Sequence, residues 1–407
     1  MLRTLRNLDL LLLICGQAVS QVGDGIFTVA LVWRVYQSYS SPAALSVVGI
    51  AFFVPRLLVT IVGGVLSDRF ERRWTMVVAD AGRAVSVAAL AVISLSPRGE
   101  LIAIVLIVAF QGIAGSLFGP AESALLPEIV SPEDLGPANS LRTIVSPIAQ
   151  AVAGPALGGA IIAAYGTPAA FWIDSATFVV GIGALLLMRA RPITVAAEHS
   201  SVFAEARQGM AYVAGRPWLW GPILTASLAQ FLYAGPNQAL VPYLVKFELH
   251  ASASALGLVF TAGGLGTVAA GLVIGRLPRP RHIVVFMILG WALGIGSTAA
   301  VGLSQTVWQA ALAMFVWNLM LWSGEILWVT LLGLTVPNHI RGRVSSLDFL
   351  GSYWMIPLSM ALTGPVAAIV GARSVLIGAG VGGGAAILLT LAVPGARTPK
   401  YLSEASQ

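Results

Sequence analysis

The sequence of 407 residues predicts an all-α integral membrane protein whose twelve transmembrane helices form two pseudo-symmetric six-helix bundles. Three observations carry that prediction. Only 10% of residues are charged and 57% are hydrophobic, where a soluble domain carries about 25% charged residues. Twelve apolar runs are long enough for the ~20 residues that a membrane-crossing helix needs: about 10–37, 43–66, 75–95, 101–125, 140–164, 168–189, 218–245, 252–275, 283–303, 306–335, 345–371 and 373–393. Finally, landmarks of the first half recur in the second. Pro127 and Pro337 lie 210 residues apart, as do Gly154-Pro155 and Gly364-Pro365, while the Ala-Leu-Val runs at Ala30 and Ala239 differ by 209 and Gly64 and Gly275 by 211.

Each run is expected to be helical because backbone exposed to lipid must satisfy its hydrogen bonds within its own segment. A transmembrane barrel would instead show short alternating runs, and the sequence has none. The first run continues past Asp24 to Tyr36 without a small-residue cleavage site, so it reads as a permanent helix rather than a signal peptide. The repeat sets the domain expectation: residues 1–190 as one bundle, 191–217 as a cytoplasmic linker, and 218–407 as the second bundle with a short cytoplasmic tail. Within the linker, FAEARQGMAYV (203–213) has the pattern of an amphipathic surface helix.

Basic residues set the orientation. With both termini in the cytoplasm, 17 of the 23 Lys and Arg fall in inner segments and 4 in outer ones (Arg34, Arg98, Lys246, Arg373), leaving Arg56 and Arg83 within spans. An excess of that kind marks the cytoplasmic side, and predicts a multi-pass protein of the plasma (inner) membrane. The net charge of +6 is scattered over short loops, which fits anionic lipid heads as neighbours and gives no focused nucleic-acid surface. Cys15 is the only cysteine, and His199, His250, His282 and His339 are far apart in predicted loops. Neither a disulfide framework nor a metal site is expected.

Two short motifs stand at helix ends and crossings. Between runs two and three the chain reads GGVLSDRFERR, with Gly64, Asp68, Arg69, Arg72 and Arg73 at spaced positions and Glu71 among them. A small residue permits close helix packing, the carboxylate suits a helix N-terminus, and the arginines suit acidic partners or phosphates. The fifth run holds QAVAGPALGG, where Gly154, Gly158 and Gly159 allow backbones to approach and Pro155 removes a backbone donor and permits a bend.

These residues resemble the signature loop G-x-x-x-D-[RK]-x-G-[RK]-[RK] and the antiporter motif G-x-x-x-G-P-x-x-G-G of the major facilitator superfamily. Glu71 stands where the first pattern has glycine, and Gln150 where the second begins. Gln111 and Gly112 fit a third family pattern, with Val108 in place of its arginine; GRLPRPR from Gly275, the second half's counterpart of the loop, lacks the aspartate. Together with ADAGRA (79–84), LLPEIV (125–130), AFWIDSATF (170–178) and RGRVSS (341–346), the chain is similar to the drug-export branch that includes macrolide efflux pumps and the enterobactin exporter. The resemblance implies the major facilitator fold, a gating role for the signature loop, export rather than import, and a central cavity lined by the first, fourth, seventh and tenth helices.

Polar residues inside apolar runs are the candidate site. Gln17, Ser20, Gln21, Asp24 and Thr28 recur at spacings of three and four, one helical stripe. An unpaired charge at mid-membrane costs ~2.5 to 3.5 kcal/mol on insertion scales, so Asp24 is expected to be paired, hydrated or protonated. Proton coupling or contact with a cationic substrate competes there with a fixed ion pair, for which Arg56 is a candidate partner. Run seven carries Ser227, Gln230, Asn237 and Gln238; run ten carries Asn318, Trp322, Glu325 and Trp328, with Trp317 nearby. An acid among large aromatic rings suits an amphipathic organic cation, against the alternative of an interfacial tryptophan belt. Gln111 and Phe118 share a face of run four with Glu122. Asp80 and Arg83, three apart, form an expected local ion pair, and Asp174 and Asp348 are expected to be mainly structural.

The reading that joins these features is a secondary transporter, not an enzyme: no constellation of catalytic residues meets at one place, and no G-x-x-x-x-G-K-[ST] loop binds a nucleotide. It is expected to be a monomer without a cofactor, driven by a proton gradient through Asp24 and Glu325. Small amphipathic molecules such as drugs, antibiotics or a siderophore are the expected cargo. A metabolite importer or facilitator, and a lipid-handling or sensory membrane protein of the same fold, are the rival readings.

Overall fold

The computed structural model describes residues 7–67, 71–96, 101–189, 202–278, 280 and 282–395. Every regular element described is helical: α1 (Leu8–Ser38), α2 (Pro42–Ser67), α3 (Arg72–Ile93), α4 (Leu101–Ile129), α5 (Leu135–Pro147), α6 (Gly154–Leu187), α7 (Val202–Ala214), α8 (Pro217–Tyr243), α9 (Ala253–Arg276), α10 (Ile283–Leu303), α11 (Val307–Thr335), α12 (Asn338–Tyr353), α13 (Ile356–Val370) and α14 (Ala372–Leu388). Ten helical stretches among the described residues are long and apolar enough to cross a membrane. One of them runs for 53 residues, Leu135–Leu187, and turns where Gly166 takes φ 81°, so it contains the fifth and sixth predicted spans. The other addition is α8, 27 residues long, whose hydropathy is lowered by Gln230, Asn237, Gln238 and four prolines. Twelve crossings result.

The helix ends follow from local chemistry. Asn7 caps α1 by accepting from the N–H groups of Asp9 and Leu10 and donates from Nδ2 to the Ile129 carbonyl at 2.5 Å, tying the start of α1 to the end of α4. Thr306 and Gln309 form a capping box at the start of α11. Glycine does the turning between the fifth and sixth spans in both halves: Gly166 has φ 81° and Gly371 φ 86°, values that cost a side-chain-bearing residue steric energy.

Arginine side chains satisfy carbonyls that helix C-termini leave open. Arg34 reaches the Ile93 and Ser96 carbonyls at the end of α3, at 3.5 and 2.6 Å. Arg373 reaches Gly302 and Ser304 at the end of α10 at 3.0 and 2.6 Å, Arg73 reaches Met188 and Leu186 at the end of α6 at 2.7 and 3.2 Å, and Arg341 reaches Gly333 and Val336 around the end of α11. Two of the four basic residues expected on the outer side thus have a packing role. Arg34 is 6% exposed, so Arg34→Met is expected to cost about 2 kcal/mol through two lost charge-assisted bonds, read as a lowered melting temperature in detergent. Arg34→Lys should recover only part of it, since a single ammonium cannot span two carbonyls as a guanidinium fork does.

The chain divides into two compact units, Met1–Ala196 with Val245–Gly264, and Ala197–Leu244 with Leu265–Gln407. In the first, α1 packs on α6, α2 on α4, and α3 on both α4 and α6. In the second, α8 packs on α13 and α14, and α10 on α11 and α14. The internal repeat is visible as matching close approaches. A Cβ on Gly25 would overlap the Gln150 carbonyl and stand 2.7 Å from Gly154 Cα; a Cβ on Gly235, 210 residues later, would overlap Thr363 and stand 2.5 Å from the Ser359 carbonyl. Within the second unit α7 lies on α12, where Gln208 accepts from Arg343 Nη1 at 2.7 Å.

Candidate functional site

The antiporter-like segment is built by a missing donor. Pro155 has no N–H for the Ala151 carbonyl, and the turn before it, Ile148–Ala153, widens into a π-helix, the usual response to a break in the i to i−4 ladder. Small residues then bring three backbones together inside the first unit. A Cβ on Gly154 would stand 2.5 Å from Gly25 Cα, one on Gly158 3.0 Å from Ile26 Cα, and one on Gly159 2.9 Å from the Ala253 carbonyl and 3.0 Å from Gly257 Cα. Pro155 packs on α1 at Gly25, and the Ala151 carbonyl sits where a side chain on Gly264 would be. Four residues of the motif therefore fasten α6 to α1 and α9.

At the signature-like loop, Arg72 pairs with Glu128 and donates to the Ala124 carbonyl at 3.1 Å, while Arg73 caps α6. Glu71, where the family pattern has glycine, precedes α3 without capping it. Gly64 lies in α2; Asp68 and Arg69 fall outside the described residues.

Asp24 has a different partner from the one considered in the sequence. Arg83 of α3, rather than Arg56, pairs with Asp24 and also donates to Asp80 Oδ1 at 3.2 Å, so the expected local Asp80–Arg83 pair is one edge of a larger cluster. The Arg83 guanidinium lies 4.1 Å from the centre of the Phe178 ring and 6.0 Å from that of Phe118. Arg56 stands 5.6 Å from the Phe52 ring centre. Asp174 is 0% exposed and faces the α1 backbone at Gly23, against which its Oδ1 would overlap an added Cβ. The expectation of a mainly structural role for Asp174 gave no sign that it neighbours Asp24.

The polar stripe of α1 divides between two environments. Ser20 donates to the Thr177 carbonyl at 3.4 Å beside the cluster, whereas Gln17 and Gln21, 3.5 Å apart, share a small hollow with Glu122 and Arg142, themselves 3.4 Å apart. Gln111 is buried and accepts from Ser86, and Phe118 sits in the apolar core with Leu10, Met76 and Leu125. Asn318 bonds Thr267 and the Met314 carbonyl. Asn237 has a buried Nδ2 without a hydrogen-bond partner among the described residues.

In the second unit a cavity of about 130 Å³ brings several candidates together: Gln230, Trp322, Glu325 and Trp328 line it. Three aromatic residues not singled out in the sequence, Tyr233, Trp291 and Tyr353, also line it, and Asp348 joins them. Trp328 is held by edge contacts to Trp291 and Trp218, at 5.9 and 6.4 Å between ring centres, and donates from Nε1 to Asp348 Oδ2 at 2.8 Å. Asp348 Oδ1 accepts from Ser352 at 3.4 Å. Asp348 is thus part of the aromatic wall; its register on α12 opposite α11 is tertiary information that spacing within one helix cannot supply. No group of three or more metal-ligating side chains is found among the described residues. A chamber of this kind can hold a positively charged, flat or aliphatic head group between ring faces and two acids.

The model of the Major Facilitator Superfamily matches residues 13–356. Among relatives, the multidrug efflux pump Tap of Mycolicibacterium fortuitum is 27% identical over 90% of this chain and 91% of that protein. The enterobactin exporter EntS of Citrobacter koseri is 28% identical over 81% and 78%, and the uncharacterized MFS-type transporter YfiS of Bacillus subtilis 26% over 82% and 81%. Solved structures share the fold: a bacterial homologue of the iron transporter ferroportin in an inward-facing state has a TM-score of 0.74 at 17% identity, covering 95% of this chain and 97% of that one. The nucleoside transporter NupG has a TM-score of 0.70 at 14% identity, covering 95% and 98%. With the helical fold, the membrane-crossing lengths and a family model spanning most of its residues, this chain belongs to the Major Facilitator Superfamily and is a multi-pass membrane transporter, not an enzyme.

Proposed function

We propose that this transporter exports amphipathic organic cations across the plasma membrane in exchange for protons, as a monomer with both termini in the cytoplasm. The observation that carries the reading is the aromatic cavity of the second unit, in which Glu325 and Asp348 face Tyr233, Trp291, Trp322, Trp328 and Tyr353. Two acids in a low-dielectric chamber repel anionic cargo and offer neutral cargo hydrogen bonds at most. A cation gains both charge attraction and ring-face contact, the latter worth up to ~2 kcal/mol when desolvated. The volume of about 130 Å³ falls below the roughly 300 Å³ at which drug-sized sites begin, so in this conformation it takes a head group and leaves the apolar remainder to the adjoining helices. The names of the relatives, an efflux pump and an exporter, favour outward movement, as does the Gly-Pro segment on α6.

Coupling follows from charge. Two opposite unit charges 4 Å apart attract by about 4 kcal/mol at an effective dielectric of 20, so protonating an acid that holds the cation releases it. Asp24 and Glu325 are the groups assigned to that exchange, in a transporter of a type that gives its cargo access to each side of the membrane in turn. Inverted membrane vesicles carrying the protein should accumulate a fluorescent lipophilic cation when acidified inside and lose it on addition of a protonophore. Accumulation that survives the protonophore would remove proton coupling; accumulation of neutral analogues in preference to cations would remove the substrate class.

A further inference from the structure

The cluster around Arg83 holds one carboxyl group more than its cations require. Asp24 of α1, Asp80 of α3 and Asp174 of α6 surround Arg83. The other charged group facing them is Arg56 of α2, in electrostatic range of Asp24 and Arg83. Glu122 of α4 also reaches Asp80 electrostatically but is itself paired with Arg142. Three carboxylates against two guanidinium groups leave one negative charge, and a single proton neutralises the cluster.

Geometry identifies which acid carries that proton. Arg83 donates to Asp24 and Asp80. The Asp174 side chain has 0% exposure, and its Oδ2 has no hydrogen-bond partner among the described residues. Among the described residues its Oδ1 has only the Thr177 hydroxyl at 3.5 Å, and that hydroxyl's single proton is directed at the Asp174 main-chain carbonyl at 2.7 Å. An ionised carboxylate in such a place lacks every donor that normally offsets its lost hydration, a deficit of several kcal/mol. As the neutral acid it carries no charge to solvate.

We propose that Asp174 is a proton-holding group of the transport cycle, and that Arg83 is the positioning residue that decides whether the cluster's proton sits on Asp174 or on Asp24. With Arg83 on Asp24 and Asp80, Asp174 keeps its O–H bond. When the guanidinium turns toward Asp174, that bond breaks and the proton passes to Asp24, left without its cation; no electron moves and the charge of the cluster is unchanged. Asp24, with 22% of its side chain exposed, exchanges the proton with water, while Asp174 is the dry end. This deepens the exchange proposed above and rests on it for its role in transport, though not for the protonation itself.

The test is infrared difference spectroscopy of purified protein in nanodiscs, with no substrate and no gradient. The wild type should show a protonated-carboxyl stretching band at neutral pH that disappears in Asp174→Asn. In Asp24→Asn the band should also weaken or vanish, although Asp174 is present, because Arg83 has lost the partner that keeps it away. Asp24→Asn carries the test should Asp174→Asn fail to fold, as judged by its melting curve. In vesicles Asp174→Asn should lose gradient-driven accumulation and retain substrate exchange. A neutral-pH spectrum without the Asp174 band, or a band untouched by Asp24→Asn, would overturn the assignment. A band that behaves as expected in a protein that moves no cation would count against the export reading and leave the protonation of Asp174 standing.

Discussion

Gly25→Leu is expected to leave little folded protein. The side chain would enter the crossing of α1 and α6 where the neighbours are main-chain atoms, with Gly154 Cα 2.7 Å from the first added carbon and the Gln150 carbonyl nearer still. Backbone cannot rotate away as a side chain can, so the whole α6 contact must open, at a cost of about 3 kcal/mol or more. The repeat makes the same forecast for Gly235, whose first added carbon would stand 2.5 Å from the Ser359 carbonyl. Gly119 and Gly296, with nothing within 4 Å of an added Cβ, are the controls: alanine there should be neutral or stabilise by up to ~1 kcal/mol through helix propensity. Yield and melting temperature in detergent check all four. A well-folded Gly25→Leu protein would show that α1 and α6 are not locked at this crossing.

Glu325→Gln is expected to weaken binding of lipophilic cations by roughly 2 to 3 kcal/mol, the range for a lost hydrogen bond to a charged group in a buried setting, which is about 30- to 150-fold in Kd. Gln has nearly the same shape, so the cavity keeps its volume and a neutral analogue of the same cation should bind as before. Asp348→Asn should lose less, about 1 kcal/mol, because the amide oxygen can still accept from Trp328 Nε1 and keep that ring in position. Thermal-shift titration or tryptophan quenching with a cation and its neutral analogue measures the difference. Equal loss for both would assign Glu325 a packing role and move cation recognition elsewhere.

Much of the fold was legible in the chain because the bilayer imposes a length and a composition on every crossing. The fifth and sixth spans illustrate the gain from structure: hydropathy separates them at Gly166, but only the φ of 81° there shows a turn built inside one continuous helical stretch. α8 was counted from the length of its apolar run, even though Gln230, Asn237 and Gln238 dilute its hydropathy. The glycines of QAVAGPALGG announced close packing, since absent side chains can only mean approach or bending. Their partners, Gly25 in α1 and Gly257 in α9, could not be read from that segment.

The candidate site divides along the same line. Spacing within a helix grouped Asn318, Trp322, Glu325 and Trp328; the last three line one cavity, whereas Asn318 bonds Thr267 instead. Asp348, Tyr233, Trp291 and Tyr353 joined those three through rotations and registers of three other helices, α8, α10 and α12. Asp174 was expected to be mainly structural; it lies against Gly23 because the limb of α6 after Gly166 packs on α1, where Gly23 meets Asp174 and Thr177 and Gly16 meets Gly181 and Ala184. Sequence by itself determined that this protein crosses the membrane twelve times in two related halves and that acids are retained among apolar residues, because those properties are set by each segment's exchange with lipid. Tertiary structure alone decided which cation meets which acid, since electrostatic pairing depends on distances between helices, and no periodicity along one helix encodes the distance to another.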